Sequence, residues 1–580
     1  MRVLLLYPQD DLTEDLQHRG PWDAVFDLGD AAADFYQRGR DLLHCPVGPL
    51  RRLEFADVCR LRSPFLCGYN RITDNFGFDW WKLIQLEFLE ELLDVLRVMR
   101  FVNERSAHDQ FYCSRDGTQT RLLRALCPER VHILPQGCWG HIRNKATRVT
   151  RLSPWQIFQV LGDKYDSSYR LRRLFLRRNS PSTKPVVLLP SAYENASRTA
   201  LAYARNLPEL NFLLLTTRPG GQVIATPANL QSARLASYAP ERCDESEVQH
   251  LLSGWKDLLT VLNEAPELRL LIRAGHFDRI PRILRRGLAI RDAWLNVFAS
   301  EPILSVLCAD EMNWQIRLPL LIAHLQGLPA IACHHGALDW RYSFQETSAD
   351  YFLAKGQMEW NYLVELCGMD REKIAIAAPL RSSRVDPGSS RKDSIVFFSE
   401  PYEASGGRCR GYYEGLLPRL AELAEQSGRR LVLKLHPFES RRERKRLAED
   451  ILPVDRRHLL HIADGPLNEP LLQRAWFGIT ITSSTAVDCA LSEVPMFLCQ
   501  WLDFSCNEYA EQFIRFGAAR GLRSELQIAE IPHILRNSVW SKPQGLWQGM
   551  ENRELRSLIS EGAQAGLQRT QTHEAEQVWA

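Results

Sequence analysis

The stretch that decides the fold is Leu431-Val432-Leu433-Lys434-Leu435-His436-Pro437. A short, nearly continuous apolar run reads as a strand buried on both faces, the signature of a parallel sheet. Proline lacks an N–H and fixes its φ, so Pro437 ends the strand and locks the turn. That presents His436 at the sheet edge where parallel α/β folds bind ligands, beyond the carboxyl ends of the strands.

The same grammar repeats in both directions. Downstream, a charged helix follows in SRRERKRLAEDI, then a strand at Leu459–Ile462, a helix near 469–475, a strand at Phe477–Ile481, a helix at Ala486–Ser492 and a strand at Pro495–Leu498. Upstream stand a helix over 412–427 and the strand Ser394–Ser399. An earlier block reads as strands at Val186–Pro190, Asn211–Thr217, Ile303–Cys308, Pro329–Cys333, Tyr351–Ala354 and Ile374–Ala377, with a helix capped by Ser197 and running through Leu207 and another at Arg317–Gln326. The first block opens on Val3–Tyr7 and Ala24–Gly29, and an unbroken helix is expected between Asp79 and Asn103. Repeated strand–helix alternation predicts doubly wound parallel sheets.

Chemistry is therefore sought just past strand ends. In 477–488, FGITITSSTAVD, a strand runs into Thr482-Ser483-Ser484-Thr485 and then a helix. Hydroxyls and helix-terminal N–H groups there suit an anion, although Ser484 or Thr485 also reads as a plain N-cap. Between this element and His436 lies Ala463-Asp464-Gly465-Pro466, either a base or ribose contact or a turn. In the earlier block, Glu194 follows the first strand, Asp310-Glu311 follows Ile303–Cys308, and His334-His335-Gly336 follows Pro329–Cys333.

Composition limits the classes. At 580 residues, roughly 150 per domain suggests about four units. With 72 Lys+Arg against 70 Asp+Glu, the net charge of +2 argues against a nucleic-acid binder. The 14 cysteines form no C-x-x-C pair, and Cys45, Cys113, Cys333 and Cys489 read as reduced core residues of a cytosolic protein. No metal site is expected. The opening MRVLLLYPQDD lacks the features of a signal peptide, and no uniformly apolar run is long enough for a membrane span. Trp80-Trp81 reads as core. Arg170–Arg178 and Arg441–Arg446 read as solvated helix faces, with acidic lipid or an anionic glycan as the alternative; Arg282–Arg286 gives no firm reading.

Strand–HP, a gap of 30 to 50 residues, then strand–Ser–Ser/Thr–helix resembles the C-terminal half of GT-B glycosyltransferases of bacterial surface polysaccharide synthesis. These include capsule Kdo transferases, sialyl- and polysialyltransferases, and CDP-glycerol glycerophosphotransferases. The run Gly327…His334-His335-Gly336, and Asp350–Gly356 with Cys367-Gly368…Pro379, resembles elements of the partner lobe. The resemblance spans about 186–520; where those families place Gly before Pro495, Val494 stands.

The resemblance implies two Rossmann-like lobes, 185–380 for acceptor and 393–540 for nucleotide donor, with an additional N-terminal α/β domain over 1–180 and a helical tail over 541–580. It implies donor-phosphate or nucleotide binding by His436, Pro437, Asp464, Gly465, Ser483, Ser484 and Thr485, with His334 and Gly336 in the acceptor lobe. The base for the acceptor hydroxyl would be one of Glu194, Asp310, Glu311 and His335, and one of the two adjacent histidines is expected to be structural. Expected activity is metal-independent sugar transfer, with no obligatory cofactor, from a nucleotide sugar (CMP-linked or another) to a glycan or glycolipid. The expected location is cytoplasmic, with peripheral contact at the inner face of the membrane as a variant. The role of residues 1–180 and the oligomeric state stay open. The alternatives are a nucleotide-sugar epimerase and a non-catalytic glycan- or nucleotide-binding assembly protein.

Overall fold

A computed structural model describes residues 1–8, 10, 12–29, 33–50, 72–135, 181–218, 227–240, 244–338, 343–344, 347–379, 392–405, 407–502, 508–540 and 542–561. The basic stretch Arg170–Arg178 and most of the 381–393 linker lie outside these residues.

Among the described residues, three all-parallel sheets carry the fold. The first uses β1 (Arg2–Leu6), β2 (Ala24–Asp27), β3 (Val47–Pro49), β4 (Gln110–Cys113) and β5 (Val131–Ile133) in the order β3-β2-β1-β4-β5. The second uses β6 (Val186–Ser191), β7 (Asn211–Thr216), β8 (Leu230–Arg234), β9 (Ile303–Cys308), β10 (Ala330–Cys333), β11 (Tyr351–Ala354) and β12 (Ile374–Ile376) in the order β12-β11-β10-β9-β6-β7-β8. The third uses β13 (Ser394–Phe398), β14 (Arg430–Lys434), β15 (Leu460–Ala463), β16 (Ala475–Thr480), β17 (Met496–Cys499) and β18 (Arg520–Leu522) in the order β15-β14-β13-β16-β17-β18. The expected α/β class with two larger Rossmann-like sheets and an extra N-terminal one is what the structure has.

The apolar runs explain the sheets. One face of the third sheet sends Ile395, Phe397, Leu431, Leu433, Phe477, Ile479 and Phe497 into a single core with the helix Cys409–Gln426, every one of them fully buried. Burying such side chains supplies about 1.5–3 kcal/mol each. In the second sheet β6 is buried along its whole length. Cys45, Cys113, Cys333 and Cys489 are buried free thiols, as read from their apolar surroundings.

The chain forms two compact units that do not follow the expected domain order. One holds the first and third sheets; the other holds the second sheet. Arg408, just before Cys409–Gln426, reaches the end of β2 and grips Asp27 with Nη2–Oδ1 at 2.6 Å and Nε–Oδ2 at 3.2 Å. The same guanidinium donates to the Tyr7 carbonyl at 2.8 Å and lies over the Phe35 ring. In the other unit Arg291 binds Asp74 (2.7 Å) and both oxygens of Glu247 (2.6 and 2.7 Å). That fastens the segment around Trp80-Trp81, both buried in the core, to the second sheet's unit rather than to an N-terminal domain ending at 180. The expected 541–580 tail is not separate either: helix Asn552–Glu561 places Leu555 and Ile559 in the second sheet's core.

Three local expectations are corrected. The 79–103 helix is interrupted: Trp80–Ile84 is α-helical, Gln85–Phe88 tightens to 3-10, and Leu89–Asn103 resumes. The helix placed after Ser197 begins at Glu194, and Ser197 is buried inside it with its hydroxyl 2.7 Å from that of Ser191. The helix placed at Arg317 begins at Trp314, because the Asn313 side chain accepts from the Gln315 amide and caps it.

Candidate functional site

Polar residues collect at the carboxyl edge of two sheets, one in each unit. In the second sheet, adjacent strands β11, β10, β9 and β6 end in Lys355, His334-His335, Asp310 and Tyr193. The Tyr193 phenol donates to Asp310 Oδ2 and lies 3.3 Å from His335 Nδ1. Asp310 Oδ1 accepts from the Met312 amide at 3.1 Å. The His334 ring is tilted against His335 at 4.6 Å and meets Phe344 edge-on at 5.5 Å. Lys355 Nζ donates to Glu359 at 3.0 Å and to the Gly336 carbonyl at 3.3 Å.

Desolvation sets the electrostatics of this edge. Burial, reinforced by the neighbouring imidazole and Lys355, holds His334 well below the ordinary histidine range. Burial lowers His335 as well, against the opposing pull of the Asp310 charge. The Tyr193 phenol is pushed far up by burial and then by the Asp310 charge, so it stays a donor. A buried neutral imidazole beside a hydrogen-bonded carboxylate can take a proton from a hydroxyl.

The remaining expected base residues are placed differently. Glu194 is exposed at the helix start and is 3.8 Å from Arg198. Glu311 is buried, accepts the Ser348 amide at 2.9 Å and is raised by burial; its carbonyl takes Arg317 Nε at 2.7 Å. Gly336 has no positive φ, and an added Cβ there meets nothing closer than His334 at 3.9 Å.

In the third sheet His436 follows β14, Asp464 follows β15, and Ser483 follows β16. The His436 amide donates to Glu439 Oε2 at 2.8 Å, and its Nδ1 accepts from the Phe438 amide at 3.2 Å. An accepting Nδ1 leaves the ring proton of the neutral histidine on Nε2. Pro437 is exposed in the turn. Asp464 is exposed and paired with Arg441 at 2.9 Å, which holds its carboxyl below the usual range. Gly465 has φ +77°, a left-handed turn that favours glycine, and its carbonyl takes the buried Lys434 Nζ at 2.6 Å.

The Ser483–Thr485 loop departs from the expected set of free helix amides. The Thr485 amide goes to Ser483 Oγ (3.3 Å), Ala486 N to Ser483 O (3.1 Å) and Val487 N to Ser484 O (3.0 Å). Neither Ser484 nor Thr485 caps by side chain, and the following helix, Thr485–Leu491, is short. An anion here would be met by half-buried hydroxyls and the helix dipole more than by free N–H groups.

Other residues hold this edge together, and Arg444, expected within Arg441–Arg446 on a solvated helix face, is instead buried among them because Glu439 and Glu403 neutralise it. Glu439 accepts Ser399 Oγ (2.8 Å) and Arg444 Nε (2.6 Å), and Arg444 also binds Glu403 Oε2 at 2.6 Å. Glu400 accepts from Thr480 Oγ1 (3.0 Å), Thr482 N (2.9 Å) and Thr482 Oγ1 (2.6 Å). Burial raises Glu400 and Glu439; hydrogen bonds from Thr482 and Thr480 pull Glu400 back, and the Arg444 charge, ahead of its hydrogen bonds, pulls Glu439 back. Phe438, beside His436, is 68% exposed. The only sequence signal of Ser399 and Glu400 is position, polar residues just past β13.

Among the described residues no group of three or more His, Cys, Asp or Glu could hold a metal ion, and no helix is long and apolar enough to cross a membrane. No protein-family model matches the chain, and no curated protein matches it. Solved structures to which it is similar include S. aureus MnaA with UDP (11% identity, 65% of this chain, 96% of that one, TM-score 0.40). Another is the UDP-GlcNAc 2-epimerase of Neisseria meningitidis bound to UDP-GlcNAc (11%, 64% and 98%, TM-score 0.39). A third is the wall teichoic acid polymerase TagF (11%, 71% and 97%, TM-score 0.35).

Proposed function

We propose that the chain is a glycosyltransferase moving a sugar from a nucleotide-sugar donor to a surface-polysaccharide or lipid-linked glycan acceptor, with a CMP-linked sugar acid as the first donor to test. The observation that carries this reading is the Tyr193–Asp310–His335 cluster at the ligand edge of the second sheet. Transfer needs a base for the acceptor hydroxyl and stabilisation of the departing phosphate. His335 is the base in this reading. Tyr193 and Asp310 orient it, and Asp310 offsets the imidazolium charge that forms. Glu194 and Glu311 are set aside, one exposed and the other buried and bonded to the Ser348 amide in the segment before β11. The donor phosphate lies against His436 and the hydroxyls of Ser483, Ser484 and Thr485. Asp464 and Gly465 shape the neighbouring turn, and no protein-bound metal takes part.

The test is a melting-temperature screen with CMP, CDP, UDP and GDP, followed by nucleotide release from the matching nucleotide sugars. A nucleotide at 100 times its dissociation constant stabilises by about 2.7 kcal/mol. Stabilisation that His436→Ala removes, with release that His335→Asn removes, supports the reading. If no nucleotide stabilises the protein, the donor assignment is wrong; if binding occurs with no turnover in the presence of glycan acceptors, a binding protein replaces the enzyme.

A further inference from the structure

β13 is the central strand of the third sheet, flanked by β14 and β16. Its strand end is continued by Ser399 and Glu400, and these adjacent residues turn to opposite neighbours. The Ser399 hydroxyl donates to Glu439 Oε1 (2.8 Å), while Glu439 Oε2 accepts the His436 amide (2.8 Å). Ser399 is thus one carboxylate away from the His-Pro turn. Its hydroxyl also meets the Tyr413 phenol at 2.8 Å, and its amide donates to the Lys434 carbonyl at 2.9 Å, so the serine is fixed from three sides. Glu400 takes the Thr482 amide (2.9 Å) and hydroxyl (2.6 Å) together with the Thr480 hydroxyl (3.0 Å). Thr482 immediately precedes Ser483.

We propose that Ser399 and Glu400 are positioning residues that jointly set the placement of the His436 turn and the Ser483–Thr485 loop for one phosphate group. This rests on the donor-site reading above. A phosphate gripped from two loops needs both held to a fraction of an ångström, and rigid hydrogen-bonded support supplies that. Carboxylate acceptors give stronger hydrogen bonds than neutral ones. A dipeptide on the middle strand spans both loops, whereas one residue on a flanking strand reaches one of them.

The experiment measures the dissociation constant of whichever of CMP, CDP, UDP and GDP binds most tightly, by calorimetry on the full chain. Hydrogen exchange is followed over 436–439 and 482–487. Glu400→Ala should weaken binding about tenfold or more and speed exchange over 482–487 only. Glu400→Gln should restore binding to within about threefold. Ser399→Ala should speed exchange over 436–439 only and also weaken binding. Thr482→Val, nearly isosteric, is the variant to use if Glu400→Ala does not fold, and it should weaken binding severalfold. If the wild type binds a nucleotide and Glu400→Ala and Ser399→Ala, or Thr482→Val in place of a misfolded Glu400→Ala, bind it equally well, the positioning role is overturned and the donor site stands. If the wild type binds none of the four, the donor reading fails and the positioning role fails with it.

Discussion

The two sheet edges are built on opposite principles. At the edge of the third sheet every carboxylate near the loops is braced: Glu439 by Ser399, Arg444 and the His436 amide, Glu403 by Arg444, and Glu400 by two threonines. At the edge of the second sheet the acid Asp310 meets a phenol and an amide, and among the described residues no guanidinium or ammonium forms an ion pair with it. Burial lowers both imidazoles below the ordinary histidine range. Bracing suits loops that hold a ligand; a desolvated, lightly engaged cluster suits a group that must exchange a proton.

The contrast breaks most visibly through rate. His335→Asn should cut sugar transfer about 10²–10⁴-fold while changing unfolding free energy by no more than about 1 kcal/mol, measured by nucleotide release and by urea titration. Arg444→Met should act first on stability, costing about 3–5 kcal/mol because Glu439 and Glu403 lose their cation, with nucleotide binding weakened through Glu439 and the His436 turn it holds; the urea midpoint and the dissociation constant read the two effects. Equal stability losses in the two variants would erase the distinction between the edges. Tyr193→Phe comes next: it leaves Asp310 Oδ2 without its phenol donor, at about 1–3 kcal/mol, with a rate loss smaller than that of His335→Asn.

The pH dependence sharpens the same contrast. His334 sits below its unfolded value of about 6.5, so above that pH neither state is protonated and it contributes nothing. As pH falls through 6.5 the unfolded chain takes a proton that the folded chain resists. The wild type should therefore lose stability relative to His334→Asn by up to about 1.4 kcal/mol per pH unit. Chemical denaturation of both proteins between pH 7.5 and 5 checks this; a constant difference would show the ring to be freely protonated.

The smallest expected effect is a gain. After helix Thr485–Leu491, Glu493 N donates to Ala490 O and Val494 N to Cys489 O, closing the helix with Glu493 at φ +56°. Glu493→Gly should relieve about 1 kcal/mol of left-handed strain, seen as a higher urea midpoint without change in nucleotide binding. Here the position that asks for glycine is Glu493, while Val494 is buried in the core.

What could be read from sequence follows from locality. Strands such as Ile303–Cys308 and Tyr351–Ala354 stood out because both faces of a parallel sheet are apolar. Asp310, His335 and His436 stood out because they follow such runs. Tyr193 did not, since its meaning comes from Asp310, 117 residues away. The brace from Ser399 to Glu439 spans 40 residues, and that from Glu400 to Thr482 spans 82, so no periodicity announces either. The break at Gln85–Phe88 and the buried Ser197 were hidden because helical spacing alone does not say which turn tightens or which hydroxyl finds a partner.

The grip of Arg408 on Asp27 has a consequence for how the chain is made. The two residues are 381 positions apart. At about 5–20 residues per second, roughly 20–75 s of synthesis separates them. Throughout that interval Asp27, at the end of the nascent β2, is without the Arg408 guanidinium that grips it in the finished fold. The first sheet is therefore the earliest part of its unit to emerge, and its tie to the segment before helix Cys409–Gln426 is made only after residue 408 is translated.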